Sequence, residues 1–572
     1  MKIDRKEILN SLERFAIQGN GVIVGPPGVG KTYLLLKLGE ILRANNTSYL
    51  FLPIDQLGEG TDTELQVLLS YEGDLIEKLK AEIDKCQNKP GVLLFDAFDA
   101  ARSEQKQKSF LKIIQRAVRE LKGEWNTIVS VRTYDAKKSI DLLDLFGSPF
   151  DSDPRQYLER DIPCRHFTIQ QLTRSEIEQV FGQIPHLDEI YNNGSQDFKE
   201  LLRIPFNLWL MERIIKDSDK LPDFSKVASE VQLLGLFWTR RVKAKGNIDD
   251  REFVLTKTAR KMVNERSLTV RKEEVYEPAF KEPWAELFSA EIFSELSSSG
   301  QRLAFSHNII FDYAVSILLI EDDPQHLTAF ISEDHSRPLF LRPSLTYYFT
   351  RHWYDTPELF WNVFWHLLPS SEIHLRLFAR LLPTAVIANE ARTIEHLSPL
   401  IDALYQNDSL ASEATLRLLQ AIRALDIERD GIWIEYLNKI SENIHRDFAW
   451  DLAVLLSNIL KRAERHGKSA IMDICGQVGR KFLKWIWQER EKKQDSMIDG
   501  LGGSWGVPIV AKTFSTEPKE SRNLLEKVLA LTNEEGFPIQ YLYRLTGKLT
   551  EIWPHDPAFA ASIYRTVFSH YE

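Results

Sequence analysis

The hydrophobic pattern of the chain changes period part-way along it. Between residues 21 and 169, short apolar runs alternate with helix-period stretches: 21–24, then SYLFLPI (48–54), GVLLFDAFD (91–99), NTIVSVRTYD (126–135) and RHFTI (165–169). Strands of this kind, separated by helices, predict a parallel sheet covered by helices on both faces. Beyond about residue 165 the strand signal fades. LTRSEIEQVFGQI predicts a helix opened by Thr173, with Glu176 three positions later in a capping-box arrangement. Residues 231–320 mix helical stretches with one short strand candidate, RLAFS, ahead of the helix NIIFDYAVSILL, and predict a winged-helix unit. From about residue 322 helix follows helix without a strict repeat period, which predicts stacked hairpins of the HEAT or armadillo type.

The expected organisation is therefore an α/β P-loop domain over 1–165, a helical subdomain over 166–230, a winged helix over 231–321 and an all-α helical array over 322–572. A length of 572 residues requires several such units. The first predicted strand begins about twenty residues into the chain, and the last segment, DPAFAASIYRTVFSHYE, is amphipathic with no polar capping repeat behind it. The expectation is an effector on another protein or beyond this chain.

The chemistry is concentrated after the first strand. GPPGVGKT comprises Gly25, Pro26, Pro27, Gly28, Val29, Gly30, Lys31 and Thr32, between a predicted strand and a predicted helix. Its glycines let backbone N–H groups turn inward on phosphates. Lys31 places a cation at the β and γ positions, and Thr32 offers a hydroxyl to magnesium. The loop predicts binding of ATP or ADP with Mg2+.

A carboxylate at the end of a neighbouring strand must hold that magnesium, and Asp96 ends the run VLLF. Its neighbour is Ala97, where motor ATPases carry a glutamate, so fast hydrolysis is not assured. Asp99 is either a general base for the attacking water or a cap for the following helix, whose first turn would include Ser103 and Glu104. Arg132, at the end of TIVSV, is either a γ-phosphate sensor or a surface arginine at a strand end.

Taken together, GPPGVGKT, VLLFDAFDAAR, IVSVRTYD, the LTRSEIEQVF helix, RIPFNLWLM and RLAFSHNIIFDYAVSILL resemble the STAND class of signal-transduction NTPases, in particular its NACHT branch and bacterial relatives, over roughly the first 320 residues. The resemblance implies phosphate and magnesium contacts for Lys31 and Thr32, the Walker B role for Asp96 and the sensor role for Arg132. It implies that Pro205 lies against the adenine and that His307 of the FSH triplet touches the β-phosphate of ADP. A half-buried packing histidine is the alternative for His307. Ala100 departs from the family, many of whose members carry a glutamate there, and this bears on hydrolysis rate rather than binding.

The remaining totals narrow the picture modestly. A net charge of −10 argues against a general nucleic-acid binder, although Arg240, Arg241, Lys243, Lys245, Lys257, Arg260, Lys261, Arg266, Arg271 and Lys272 form a basic stretch in the winged-helix segment. The three cysteines, Cys86, Cys164 and Cys475, have no paired spacing and fit a reducing cytoplasm. No apolar run approaches the about 18 residues of a membrane span. The expected function is an ATP/ADP switch that exchanges nucleotide and self-associates on sensing a protein partner through its helical array, in bacterial antiphage or stress signalling. The rivals are an AAA+ type remodelling or loading ATPase acting on DNA or protein, and a scaffold in which the nucleotide is purely structural.

Overall fold

The computed structural model describes residues 3–58, 60–82, 90–159, 162–216, 221–243, 246–296, 301–334, 336–369, 377–425, 429–492, 495–532 and 539–571. Cys86 and Lys245 lie outside them. The chain divides into two units, Met1–Arg351 and His352–Glu572.

The first unit is built on five parallel strands: β1 (Gly21–Gly25), β2 (Tyr49–Pro53), β3 (Gly91–Asp96), β4 (Trp125–Arg132) and β5 (His166–Thr168), in the order β2-β3-β4-β1-β5. β1 and β3 are buried along their whole length. That is why they read as continuous apolar runs: successive side chains point to opposite faces and both faces are covered. Val22, Val24, Leu93 and Phe95 join one core with Phe110, Ile114 and Ala117 of the helix Glu104–Glu120. Ile23, Val92 and Leu94 join the other, with Leu12 and Phe15 of the helix Lys6–Gln18 and Leu34, Leu35 and Leu38 of the P-loop helix, Lys31–Ala44.

Two features of this sheet go beyond periodicity. The apolar run 126–135 is strand only as far as Arg132, and residues Thr133–Lys138 form a helix. The edge strand β5 is tied in by buried Arg165, which pairs with Asp153 at 2.9 Å and donates to the carbonyls of Phe15, Gly19 and Asn20. Its guanidinium lies between the rings of Phe15 and Phe150, 4.0 and 4.3 Å from their centroids. An arginine can be buried so deeply because its donors are matched and its flat faces are stacked.

After β5 the chain turns helical. The Thr173–Glu176 capping box forms, but the helix it opens covers only Arg174–Glu178, shorter than the apolar spacing suggested. Gly182 and Pro185 follow, and neither favours continuation. The helix Pro205–Lys216 comes next, then Glu230–Arg241 and Ile248–Glu265. A small antiparallel sheet follows, β6 (Val270–Arg271), β7 (Phe293–Glu295) and β8 (Arg302–Phe305) in the order β6-β8-β7, leading into the helix Asn308–Leu318.

The second unit is mostly helical. Its longest helices, Arg446–Arg465 and Ser469–Lys492, pack on each other, and the first also packs on Ala411–Ala424. Residues Gly502–Gly506 make a π-helical turn against Tyr541, where a Cβ on Gly502 would collide with the tyrosine hydroxyl. Only glycine permits that approach. Cys164 and Cys475 are buried free thiols. Among the described residues no helix is long and apolar enough to cross a membrane.

Candidate functional site

β1 ends at Gly25, and the five residues 26–30 turn the chain sharply into the P-loop helix. Gly28 (φ 71°) and Gly30 (φ 94°) both adopt left-handed backbone, which an L side chain rarely tolerates. Val29 is buried and anchors the loop, while Pro26 and Pro27 are half-buried on it. The Lys31 ammonium donates to the carbonyls of Gly25, at 2.8 Å, and Pro26, at 3.1 Å. Burial lowers its pKa to about 8, against the pull of Asp99 and Asp96. A desolvated cation held by two carbonyls of its own loop is poised for a stronger anionic partner.

Asp96, at the end of β3, is 1% exposed. Ser130 of β4 donates its hydroxyl to Asp96 Oδ1 at 2.5 Å, and the same oxygen of Ser130 accepts the Ala97 N–H at 2.8 Å. Asp96 Oδ2 is buried with no hydrogen-bond partner among the described residues. Burial raises this carboxyl above its ordinary value, opposed by the hydroxyls of Ser130 and Thr32. An orphaned buried carboxylate oxygen is costly in a folded chain unless a cation or water completes it. Thr32, exposed on the first turn of the P-loop helix, brings its hydroxyl near enough to that carboxylate to favour its charged form. Ala97 itself has φ 58°, an uncommon conformation for a residue with a side chain, and it turns the chain directly after Asp96.

Asp99 does not cap the following helix. Ser103 does, accepting the Lys106 N–H, and Asp99 lies in the 3-10 turn Phe98–Ala100. Both its oxygens are taken by Arg132: Oδ2 by Nε at 2.7 Å and Oδ1 by the backbone N–H at 3.1 Å. Burial alone would push Asp99 up, but the charges of Arg132, Lys31 and Arg102 outweigh it and hold the carboxyl below its usual range. Arg132 is mostly buried, so it is not a surface arginine at a strand end.

Pro205 and His307, far apart in sequence, both reach the loop. Pro205 starts its helix 4.0 Å from where a Cβ on Gly30 would stand, and the Phe206 N–H donates to the Gly28 carbonyl at 3.1 Å. A Cβ on Gly28 would meet Phe206 Cβ at 2.8 Å, Ile204 Cγ2 at 3.1 Å and Ile309 Cδ1 at 3.5 Å. His307 caps the helix Asn308–Leu318 by accepting the Ile309 N–H on Nδ1, and its ring lies 4.3 Å from that of Phe206. Burial, then the Arg132 charge, lower its pKa to about 4, so it is neutral at physiological pH.

Two residues in this region take part without a role that the sequence patterns assign to them. Asp55, just past β2, accepts Asn308 Nδ2 on Oδ2 at 3.4 Å, while its Oδ1 is buried without a partner among the described residues. Burial, with Asp96 as the next cause, pushes it up to about 6. The available signal was an acid directly after the run SYLFLPI, on the sheet edge where ligands gather in open α/β folds. Arg102 is the second. It meets Asp312 of the helix Asn308–Leu318, and no local pattern marks that pairing.

The sequence from β1 to β4 has recognisable kin. The model of the ATPase family associated with various cellular activities (AAA) matches residues 22–143, the stretch that carries the loop, Asp96 and Arg132. Residues 22–143 are an AAA-family P-loop ATPase domain. Nucleotide binding and hydrolysis belong to such a domain, and its sheet, loop and acid stand in the order that the chemistry requires. A Walker-type ATPase of Pyrococcus abyssi aligns with 55% of this chain and 96% of its own at 13% identity, with a TM-score of 0.27, too low for its architecture to be transferred. No curated protein matches the chain by sequence.

Proposed function

We propose that this ATPase domain is the core of a STAND-type switch, in which nucleotide exchange changes the packing of the elements that follow it. The observation that carries the reading is the seating of Ile204, Phe206 and Ile309 on Gly28 of the phosphate loop, with His307 stacked on Phe206. A phosphate arriving in the loop must be felt by both later helices. In this reading Lys31 and the loop amides hold the phosphates, Thr32 and Asp96 hold Mg2+, and Arg132 reports the γ-phosphate by way of Asp99. Pro205 lies against the base and His307 against the β-phosphate of ADP. Magnesium suits the donor set: a hard cation takes few protein oxygens and completes its shell with phosphate and water, and Asp96 Oδ2 awaits a partner.

Residues 231–321 serve as the winged helix of this switch and the helices from 322 onward as a HEAT or armadillo-like array that receives a protein trigger. Driving a switch from mostly closed to mostly open takes about 5.5 kcal/mol of differential affinity. One charge-assisted hydrogen bond contributes about 1.5–3 kcal/mol. Nucleotide alone is therefore insufficient, and trigger binding and self-association supply the rest. The role in bacterial defence signalling follows from the STAND resemblance alone.

A remodelling ATPase working on DNA through the basic stretch is the second reading, favoured by the AAA match. The charges count against it: Lys243, Lys257, Lys261, Arg266 and Lys272 pair with Glu252, Glu277, Glu265, Asp334 and Glu295. Neutralised side chains give phosphates little to bind.

Gentle purification, denaturation and identification of the released nucleotide test the choice, with Lys31→Ala as control. ADP at near one per chain, exchanging slowly, supports the switch. An empty protein with rapid steady ATP turnover supports the remodelling enzyme instead.

A further inference from the structure

Hydrolysis needs a carboxylate beside the attacking water as well as one for the metal, and this chain lacks the usual one, since Ala97 follows Asp96. Asp99 would be the nearest substitute in sequence, but both its oxygens are committed to Arg132. Asp135 also keeps one buried oxygen without a hydrogen-bond partner among the described residues, but its other oxygen is held in an ion pair by Arg342 at 2.6 Å, which commits its charge, whereas among those residues Asp55 is held only by the neutral amide of Asn308. Asp55 remains. It stands two residues past the end of β2, the strand beside β3, where Pro53 is in register with Asp96 and the Ile54 N–H donates to the Asp96 carbonyl at 3.0 Å. Among the described residues its Oδ1 is buried without a hydrogen-bond partner, as is Asp96 Oδ2 at the end of β3. Two carboxylates at the ends of neighbouring strands, Asp96 closing β3 and Asp55 just past β2, thus each keep one oxygen without a partner among the described residues.

We propose that Asp55 is the general base of the ATPase reaction, and that Asn308, by donating to Asp55 Oδ2, restrains it in the arrangement seen here. This rests on the reading of Asp96 as the magnesium-holding acid. In the step assigned to it, Asp55 accepts a proton from water as the water oxygen bonds to the γ-phosphorus. The bond from that phosphorus to the β–γ bridging oxygen breaks, its electron pair leaving on ADP, and inorganic phosphate is released. Because Asn308 directly follows His307 on the helix that meets the phosphate loop, movement of that helix would free the base and loosen the loop contact together.

The test compares steady ATP turnover and fluorescent ATP-analogue affinity in the full chain for wild type, Lys31→Ala, Asp55→Asn and Asn308→Ala. Expected for Asp55→Asn is a fall in kcat of about 100-fold or more, in the range of lost general-base catalysis, with affinity within about threefold of wild type. Expected for Asn308→Ala is turnover raised by about threefold or more at unchanged affinity, as a restrained base released from a single weak hydrogen bond would give. Asp55→Asn turning over like wild type overturns the proposal alone. Wild type with no Lys31-dependent turnover removes the hydrolytic reading and the proposal with it. If Asp55→Asn does not fold, Asn308→Ala decides, and unchanged or slower turnover there overturns the proposal.

Discussion

The guanidinium of Arg102 holds both carboxylate oxygens of Asp312, each at 2.7 Å, across 210 residues of chain. Both side chains are buried, Ser344 adds its hydroxyl to Asp312 at 2.9 Å, and Arg102 also donates to the Phe340 carbonyl. The pair joins the segment after Asp96 to the helix that starts at His307. Removing one partner strands a charge without water. Asp312→Ala is expected to destabilise the first unit by about 3–5 kcal/mol, and the double variant Arg102→Ala/Asp312→Ala by less than the two single losses together. Chemical denaturation in a double-mutant cycle measures both. Additive losses would mean that the two side chains do not act as a pair.

Lys31→Ala should abolish nucleotide binding, because no other cation among the described loop residues replaces it at the phosphates. A fluorescent ATP analogue titrated against wild type and variant checks this. Retained affinity would show that the loop is not the nucleotide site.

Asp96→Asn keeps the shape of the residue and its contact with Ser130 while removing the charge that would attract a metal. Turnover should fall by about 100-fold or more, as for loss of a charge-stabilising group, while nucleotide still binds but with weaker dependence on added magnesium. Turnover and Mg2+ titrations of binding provide the two readouts.

Gly28→Ala meets two obstacles at once, a left-handed backbone and a Phe206 Cβ only 2.8 Å from the new methyl group. A cost of about 1–3 kcal/mol is expected from strain and overcrowding. It should appear as a lower Tm together with faster release of bound nucleotide, since the variant pushes Phe206 off the loop. A lower Tm with unchanged release would separate loop strain from the packing contact.

His307 gives a pH signature. Its folded value, about 4, lies below the ordinary 6.5, so the unfolded chain binds the extra proton between those values. Stability from this group is therefore complete above about pH 6.5 and is lost as pH falls toward 4. The ring is partly exposed, so the contribution is about 1–3 kcal/mol at most. Asp55, raised to about 6, acts in the opposite sense over an overlapping range. The informative quantity is thus the difference between wild type and His307→Gln. Wild type should lose more Tm between pH 7.5 and 5 than the variant does, and equal losses would place His307 in a solvated environment.

How much of this was visible in the chain itself depended on the range of the interaction. Apolar run lengths located all five parallel strands: β1, β3 and nearly all of β4 are buried and so favour apolar side chains on both faces, while β2, half-buried at the sheet edge, still presents the run YLFLP. GPPGVGKT announced the phosphate loop because its requirements, left-handed backbone at Gly28 and Gly30 and a cation at Lys31, are met within a single turn. The position of Asp96 followed from the end of its own strand. The helix after Thr173 was overestimated, since the apolar spacing ran on past residues that stop a helix.

The sequence by itself thus determined the parallel sheet, the phosphate loop and the acid at the end of β3, all of them consequences of local period and local backbone need. Tertiary structure decided the rest. It committed Asp99 to Arg132, left Asp55 with an open oxygen and set Ile204, Phe206 and Ile309 against Gly28. It also closed Arg102 on Asp312. Each of these depends on which strand neighbours which, or on a helix returning from more than a hundred residues away. A charged side chain carries no mark of its partner until the fold removes the water between them.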